Sequence, residues 1–246
     1  MPAKNAQLVA GVCIILSLCQ LLAPSAAEEA AAKQVLILAS YHPGLAWEDN
    51  IISEIKLHFA MMMPTAQIRT EYMDTKRVAM DEKRCEDLKE HYRQKYGGEH
   101  LDIIISVDTD AFNFLRKDRD DIFSKVPLVF CGVVHFDNES LNGLSDFTGV
   151  LETYDVEDTI ALMLNLHPLT EHIFVVNDMT ATGRSAKIVL EEVIPRYSGN
   201  VSFEFLETLT ADELAGKVAA LPEESLILLM TFNRDRAGTY LAYIDT

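Results

Sequence analysis

Polar clusters punctuate this chain, each closing a short strand-like run. Ser40, Tyr41, His42 and Pro43 come first, with Trp47, the single tryptophan, close behind. Asp74 and Thr75 follow, then Asp108, Thr109 and Asp110, then Cys131 and Gly132. Later come Asn177 and Asp178 with Thr180 to Gly183, and finally Thr231 to Arg234. Hydroxyls, carboxylates, an amide and aromatic rings of this kind orient a small polar molecule and stack on its apolar part. Asp108 and Asp110 are spaced for acid–base work, but nothing places a second catalytic group beside them. They equally suit the N-terminus of the following helix, where carboxylates are favoured. Asp178 and Thr182 carry the same two readings. Trp47 either packs at a helix start or meets a ligand. His42 reads as a structural residue at a strand end rather than as a catalyst.

The signatures of common enzymes are missing: no GxSxG elbow, no Walker A loop, no GxGxxG after a strand. Thr182-Gly183-Arg184-Ser185 is too weak a pattern for a phosphate loop. The seven histidines are scattered, and no CxxC or HExxH spacing occurs, so neither a metal nor a cofactor is expected. The balance favours binding over chemistry.

The elements that must position these clusters alternate in type. Strand-like runs are Gln34 to Ser40, Gln67 to Tyr72, Asp102 to Val107 and Leu128 to Val133. Helical patterns are Glu48 to Met63, Asp81 to Tyr96 and Thr109 to Arg116, the second ended by Gly97 and Gly98. A second series follows. Its helices are Asp158 to Leu166, Gly183 to Ile194 and Asp212 to Ala220, and its strands are His172 to Asn177, Val201 to Leu206 and Leu226 to Thr231. A last helical start covers Arg236 to Tyr243. Continuous apolar strands separated by helices imply right-handed crossovers and parallel sheets covered on both faces. The fold class is therefore α/β, with two doubly wound Rossmann-like lobes joined by a hinge. The first spans 33–150 and the second 151–246, with Phe147 to Asp155 as the connection. The second series stops soon after its third strand, so the second lobe reads as truncated, or the chain as one piece of a longer protein. In open sheets of this kind ligands bind beyond the carboxyl ends of the strands, which is where the polar clusters lie.

Lys4, an uncharged apolar stretch from Leu8 to Leu22 and the small residues up to Ala27 make residues 1–27 a signal peptide, or alternatively a signal anchor. The expected location is periplasmic or extracytoplasmic. A net charge of −17 argues against nucleic acid and anionic lipid as partners. Cys13 and Cys19 fall within the signal, and Cys85 and Cys131 read as two separate thiols.

Several segments together resemble the ABC-type substrate-binding family of the type I periplasmic binding-protein fold. They are SYHPGLAW at 40–47, EYMDTKR at 71–77, KYGGEHLDIIISVDTDAFNFL at 95–115, VPLVFCGV at 126–133, TGVLET at 148–153 and DMTATGR at 178–184. With FNRDRAG at 232–238, the likeness is greatest to the branch that forms extracytoplasmic input domains of bacterial sensor histidine kinases. It implies two lobes closing over a small-molecule ligand. The positions matching its cleft are Ser40, Tyr41, Trp47, Asp108, Thr109 and Gly132 on one lobe. On the other they are Asp178, Thr182, Gly183 and Arg234. The resemblance implies a sensory input domain working with membrane signalling modules. The alternative is a solute-binding receptor that works with an ABC permease. An exported hydrolase ranks third, and any kinase module would lie outside these residues.

Overall fold

The computed structural model describes residues 31–134, 136 and 138–241. Residues 1–27, expected from the sequence to be a signal, and the two cysteines among them lie outside the described residues.

The first lobe is a five-stranded parallel sheet in the order β2-β1-β3-β4-β5. Its strands are β1 (Gln34–Ala39), β2 (Gln67–Tyr72), β3 (Ile103–Val107), β4 (Leu128–Val134) and β5 (Phe147–Glu152). Central β1 is apolar and buried almost throughout, as a strand covered on both faces must be. It pairs with β2 from Gln34↔Gln67 to Ala39↔Tyr72 and with β3 from Val35↔Ile103 to Ala39↔Val107. Helix α1 (Ala46–Met62) covers one face through Ile52 and its neighbours. Helices α2 (Glu82–Tyr96) and α3 (Thr109–Phe123) cover the other with an aromatic core that includes Tyr92, Phe112 and Phe123. Asp81 caps α2 by accepting from the Arg84 N–H.

β5 corrects the sequence reading, which took Phe147 to Asp155 as a bare connection. Residues 147–152 are a fifth strand, parallel to β4. The strand was hard to see because it lies at the sheet edge, where Val150 and Leu151 stay exposed and no continuous apolar run is required. Its start is held by buried Arg119 of α3. That guanidinium donates to the Ser145 carbonyl and lies 4.3 Å from the centre of the Phe147 ring.

The second lobe carries a three-stranded parallel sheet in the order β7-β6-β8. Its strands are β6 (His172–Val176), β7 (Ser202–Leu206) and β8 (Ser225–Leu229). α4 (Val156–Leu166) and α5 (Ala181–Val193) pack on one face through Ile160 and Leu190. α6 (Ala211–Ala219) lies toward Phe174, Leu206 and Phe232 on the other. A full capping box opens α6, Thr210 and Glu213 each satisfying the other's backbone N–H.

The expected last helix is absent over its described part. Residues 234–240 form a closed loop, with an antiparallel bridge between Arg234 and Tyr240. The Asp235 carboxylate takes the N–H groups of Ala211 and Thr239, and Gly238 adopts φ +84°. A side chain that captures the local N–H groups and a left-handed glycine stop the helix before it starts. Cys85 and Cys131 are both free thiols, as the sequence suggests.

Candidate ligand cleft

The carboxyl ends of β1 and β3 are tied together before any ligand is considered. The buried Ser40 hydroxyl donates to the Val107 carbonyl at 2.7 Å and accepts the Ala111 N–H at 2.8 Å. It thereby joins β1, β3 and the first turn of α3. One residue on, the Tyr41 N–H donates to both carboxylate oxygens of Glu48 in α1, at 3.0 and 3.1 Å. Glu48 has no exposed surface, and burial pushes its carboxyl up to about 8.

Asp108 follows β3 and caps α3 through the Thr109 N–H. Its backbone stands at φ 70°, ψ 173°, a conformation that costs an L-residue about 1–3 kcal/mol and collects at functional sites. The side chain is buried, and desolvation raises its carboxyl to about 6. The Tyr41 hydroxyl and the Lys76 ammonium act against that rise.

Lys76 is the unusual cation. It is almost wholly buried, sits 4.5 Å from the centre of the Tyr41 ring and donates to Asn233 Oδ1 at 2.7 Å. Burial lowers its pKa, while Asp108 and Asp178 favour its charge.

A chamber of about 200 Å³ opens among these groups. Tyr41, Trp47, Lys76 and Asp108 line it from the first lobe, and Thr182 and Met230 from the second. Glu152 and Tyr154, where the chain passes between lobes, complete the wall. Gly132, at φ +69°, makes room for the indole: a Cβ there would stand 2.6 Å from the Trp47 ring. The lobes are cross-linked around the chamber. Tyr41 and Thr182 pair their hydroxyls at 3.0 Å, and Arg234 donates to the carbonyls of Thr75 and Lys76. His42 pairs with the Tyr240 hydroxyl at 3.2 Å, a structural contact.

Of the positions expected in the cleft, Tyr41, Trp47, Asp108 and Thr182 meet in this chamber, with Gly132 behind the indole. Arg234 lies at the lobe junction. Ser40, Thr109, Asp178 and Gly183 sit in the walls. The Asp178 carboxylate accepts from the N–H groups of Thr180 and Asn233, and a Cβ on Gly183 would press within 2.2 Å of the Asp178 carbonyl. Sequence reasoning passed over Glu48, Lys76, Glu152 and Met230. Lys76 stood inside the EYMDTKR segment, but a lysine in a polar run looks like any solvated one.

No family model matches the chain, and no curated protein does. Solved structures do. An ABC domain from Streptococcus pneumonia in complex with L-Trp superposes with a TM-score of 0.56 at 13% identity, covering 82% of this chain and 66% of that one. An extracellular ligand-binding receptor from Verminephrobacter eiseniae gives 0.53 at 15%, covering 82% and 58%. A solute-binding protein of an ABC transporter from Rhodopseudomonas palustris, in complex with 3,4-dihydroxybenzoic acid, gives 0.53 at 14%, covering 81% and 55%. The chain spans a little over half to about two thirds of the length of these structures. Two parallel α/β sheets, with polar groups converging where their carboxyl ends meet, give this chain the type I periplasmic binding-protein fold.

Proposed function

We propose that this chain is an extracytoplasmic small-ligand-binding module that encloses its ligand between the two lobes. The observation that carries this reading is the cross-linked chamber itself. Aromatic rings, a buried carboxylate and a buried ammonium converge there, and side chains of both lobes bond around it. The Tyr41 hydroxyl and the Lys76 ammonium both favour the charged form of the buried Asp108 carboxyl. The sequence ranks a sensory input domain first. The fold neighbours are solute-binding proteins and ligand-binding receptors, and they favour the other role, a receptor that delivers its solute to an ABC permease. In that reading the ligand stabilises the closed lobes, and the closed form is what the permease recognises.

Trp47 is the only tryptophan and lies in the chamber wall, so it reports occupancy without a label. Titrating free amino acids and aromatic carboxylates against its emission identifies the ligand class. Calorimetry then measures the Trp47→Ala and Asp108→Ala variants with the solute so found. Both are expected to bind about tenfold more weakly or worse while remaining folded. Unchanged affinity in both variants would place the ligand elsewhere.

A further inference from the structure

Lys76 is the one buried lysine among the described residues. It stands just past the end of β2, with Nζ 4.5 Å from the centre of the Tyr41 ring. Among the described residues it closes no ion pair, and Nζ makes a single hydrogen bond, to Asn233 Oδ1 at 2.7 Å. That oxygen is shared, since it also accepts the Thr231 hydroxyl at 2.9 Å. An ammonium has three N–H groups to place. Two of them have no protein acceptor here, a cost that loss of a proton relieves. Burial accordingly lowers the pKa of Lys76, against the pull of Asp108 and Asp178. Lys56 and Lys125, in contrast, are exposed.

The other groups that amine chemistry needs share the same chamber of about 200 Å³. Asp108 lines it, and burial raises its carboxyl to about 6, so it holds a proton more readily than an ordinary acid. It bonds the hydroxyl of the same Tyr41 ring that Lys76 covers. Trp47 and Met230 give the chamber apolar surface.

We propose, resting on the reading of this chamber as the ligand site, that Lys76 captures a small aldehyde or ketone there as a reversible imine, with Asp108 carrying the proton. Lys76 first gives a proton to the Asp108 carboxylate. The freed electron pair on Nζ bonds to the carbonyl carbon, and the carbonyl π pair moves to oxygen. That oxygen takes a proton as Nζ loses one. The nitrogen pair then closes the C=N bond while the C–O bond breaks, and Asp108 protonates the leaving hydroxyl, which departs as water. Ammonium and carbonyl become iminium and water, with no oxidant or reductant. Asp108 ends ionised and still faces a cation. The rings of Tyr41 and Trp47 suit an aromatic body on the carbonyl.

The test is reductive trapping of the chain with benzaldehyde and cyanoborohydride at pH 7, followed by peptide mass spectrometry. Cyanoborohydride reduces the imine and fixes the benzyl carbon on nitrogen. Lys76 is expected to be alkylated about tenfold or more faster than Lys56 and Lys125, the excess of free amine that one unit of lowered pKa supplies. Lys76→Arg keeps the charge and is expected to lose the label. Mapping the label in the wild type needs no variant, so the result stands should Lys76→Arg fail to fold. Alkylation of Lys76 no faster than that of the exposed lysines overturns the proposal. Trp47 emission separates its failure from that of the chamber: a solute that quenches Trp47 while Lys76 stays unlabelled sinks the imine and leaves the ligand site standing.

Discussion

Asp108 and Asp178 both lie just beyond the carboxyl end of an interior strand, one in each lobe. Each follows a central strand, β3 or β6, and each precedes the next helix. Their surroundings differ. Asp178 is saturated: it accepts the Thr180 N–H at 3.0 Å, the Thr180 hydroxyl and the Asn233 N–H at 2.7 Å, and the Thr231 hydroxyl lies 3.4 Å away. Asp108 holds a left-handed backbone, has a carboxyl raised by burial, and keeps an edge on the chamber. One acid holds a lobe together. The other is kept under strain beside an opening. Burial alone does not tell a functional acid from a structural one; the supply of donors does.

The largest effect that would break this comparison is Asp178→Ala. It leaves the Thr180 and Asn233 N–H groups without their acceptor, each worth about 1–3 kcal/mol, and removes the bond from the Thr180 hydroxyl, for a total loss of about 3–5 kcal/mol. A thermal melt followed by circular dichroism should show a fall of about 10 °C or more. A shift of only a degree or two would mean the hydrogen bonds around Asp178 hold nothing.

The first lobe's buried acids should instead show themselves through pH. Glu48 lies at about 8 in the fold against an ordinary 4.5, and Asp108 at about 6 against 3.8. Both folded values are raised, so between the ordinary and raised values the folded state keeps protons that the unfolded chain has released. Stability is therefore full below the ordinary values and is lost as pH rises through the raised ones. Urea unfolding at pH 5 and pH 8 should find the wild type weaker at pH 8. Glu48→Gln, which cannot ionise, should flatten the slope, and the larger part of the loss between the two pH values should go with it. Equal stability of the wild type at both pH values would show that Glu48 ionises freely in the fold.

The contrast between these acids also marks what could be read in the sequence. The strands and most helices were legible because buried parallel strands must be apolar and because Pro64, Gly97 and Asp81 punctuate them. The rule that ligands collect beyond strand ends put Tyr41, Trp47, Asp108 and Thr182 among the candidates. It could not separate them from Ser40 or Gly183, because one polar side chain in a loop looks like another until its partners are placed. Glu48 had no signal at all. A glutamate in the first turn of a helix is ordinary, and only the turn at Tyr41 folds it inward. The edge strand β5 and the closed loop at 234–240 escaped for a related reason. Neither needs an apolar period, and both are decided by neighbours distant in sequence.

The smallest effect sharpens the comparison most, because it concerns a single bond across the lobes. Tyr41 belongs to the strained, acid-bearing end of the first lobe, and Thr182 to the helix that Asp178 and Thr180 hold in place. Their hydroxyls meet at 3.0 Å. If that bond couples the lobes, Tyr41→Phe and Thr182→Val should each weaken binding of the chamber's solute modestly. The double variant should do no worse than the stronger single one, with a coupling of about 0.5–1.5 kcal/mol. Calorimetry on the four proteins measures it. Strict additivity would mean that the two hydroxyls are neighbours only, and that the lobes are joined by Lys76, Asn233 and Arg234 without help from the phenol.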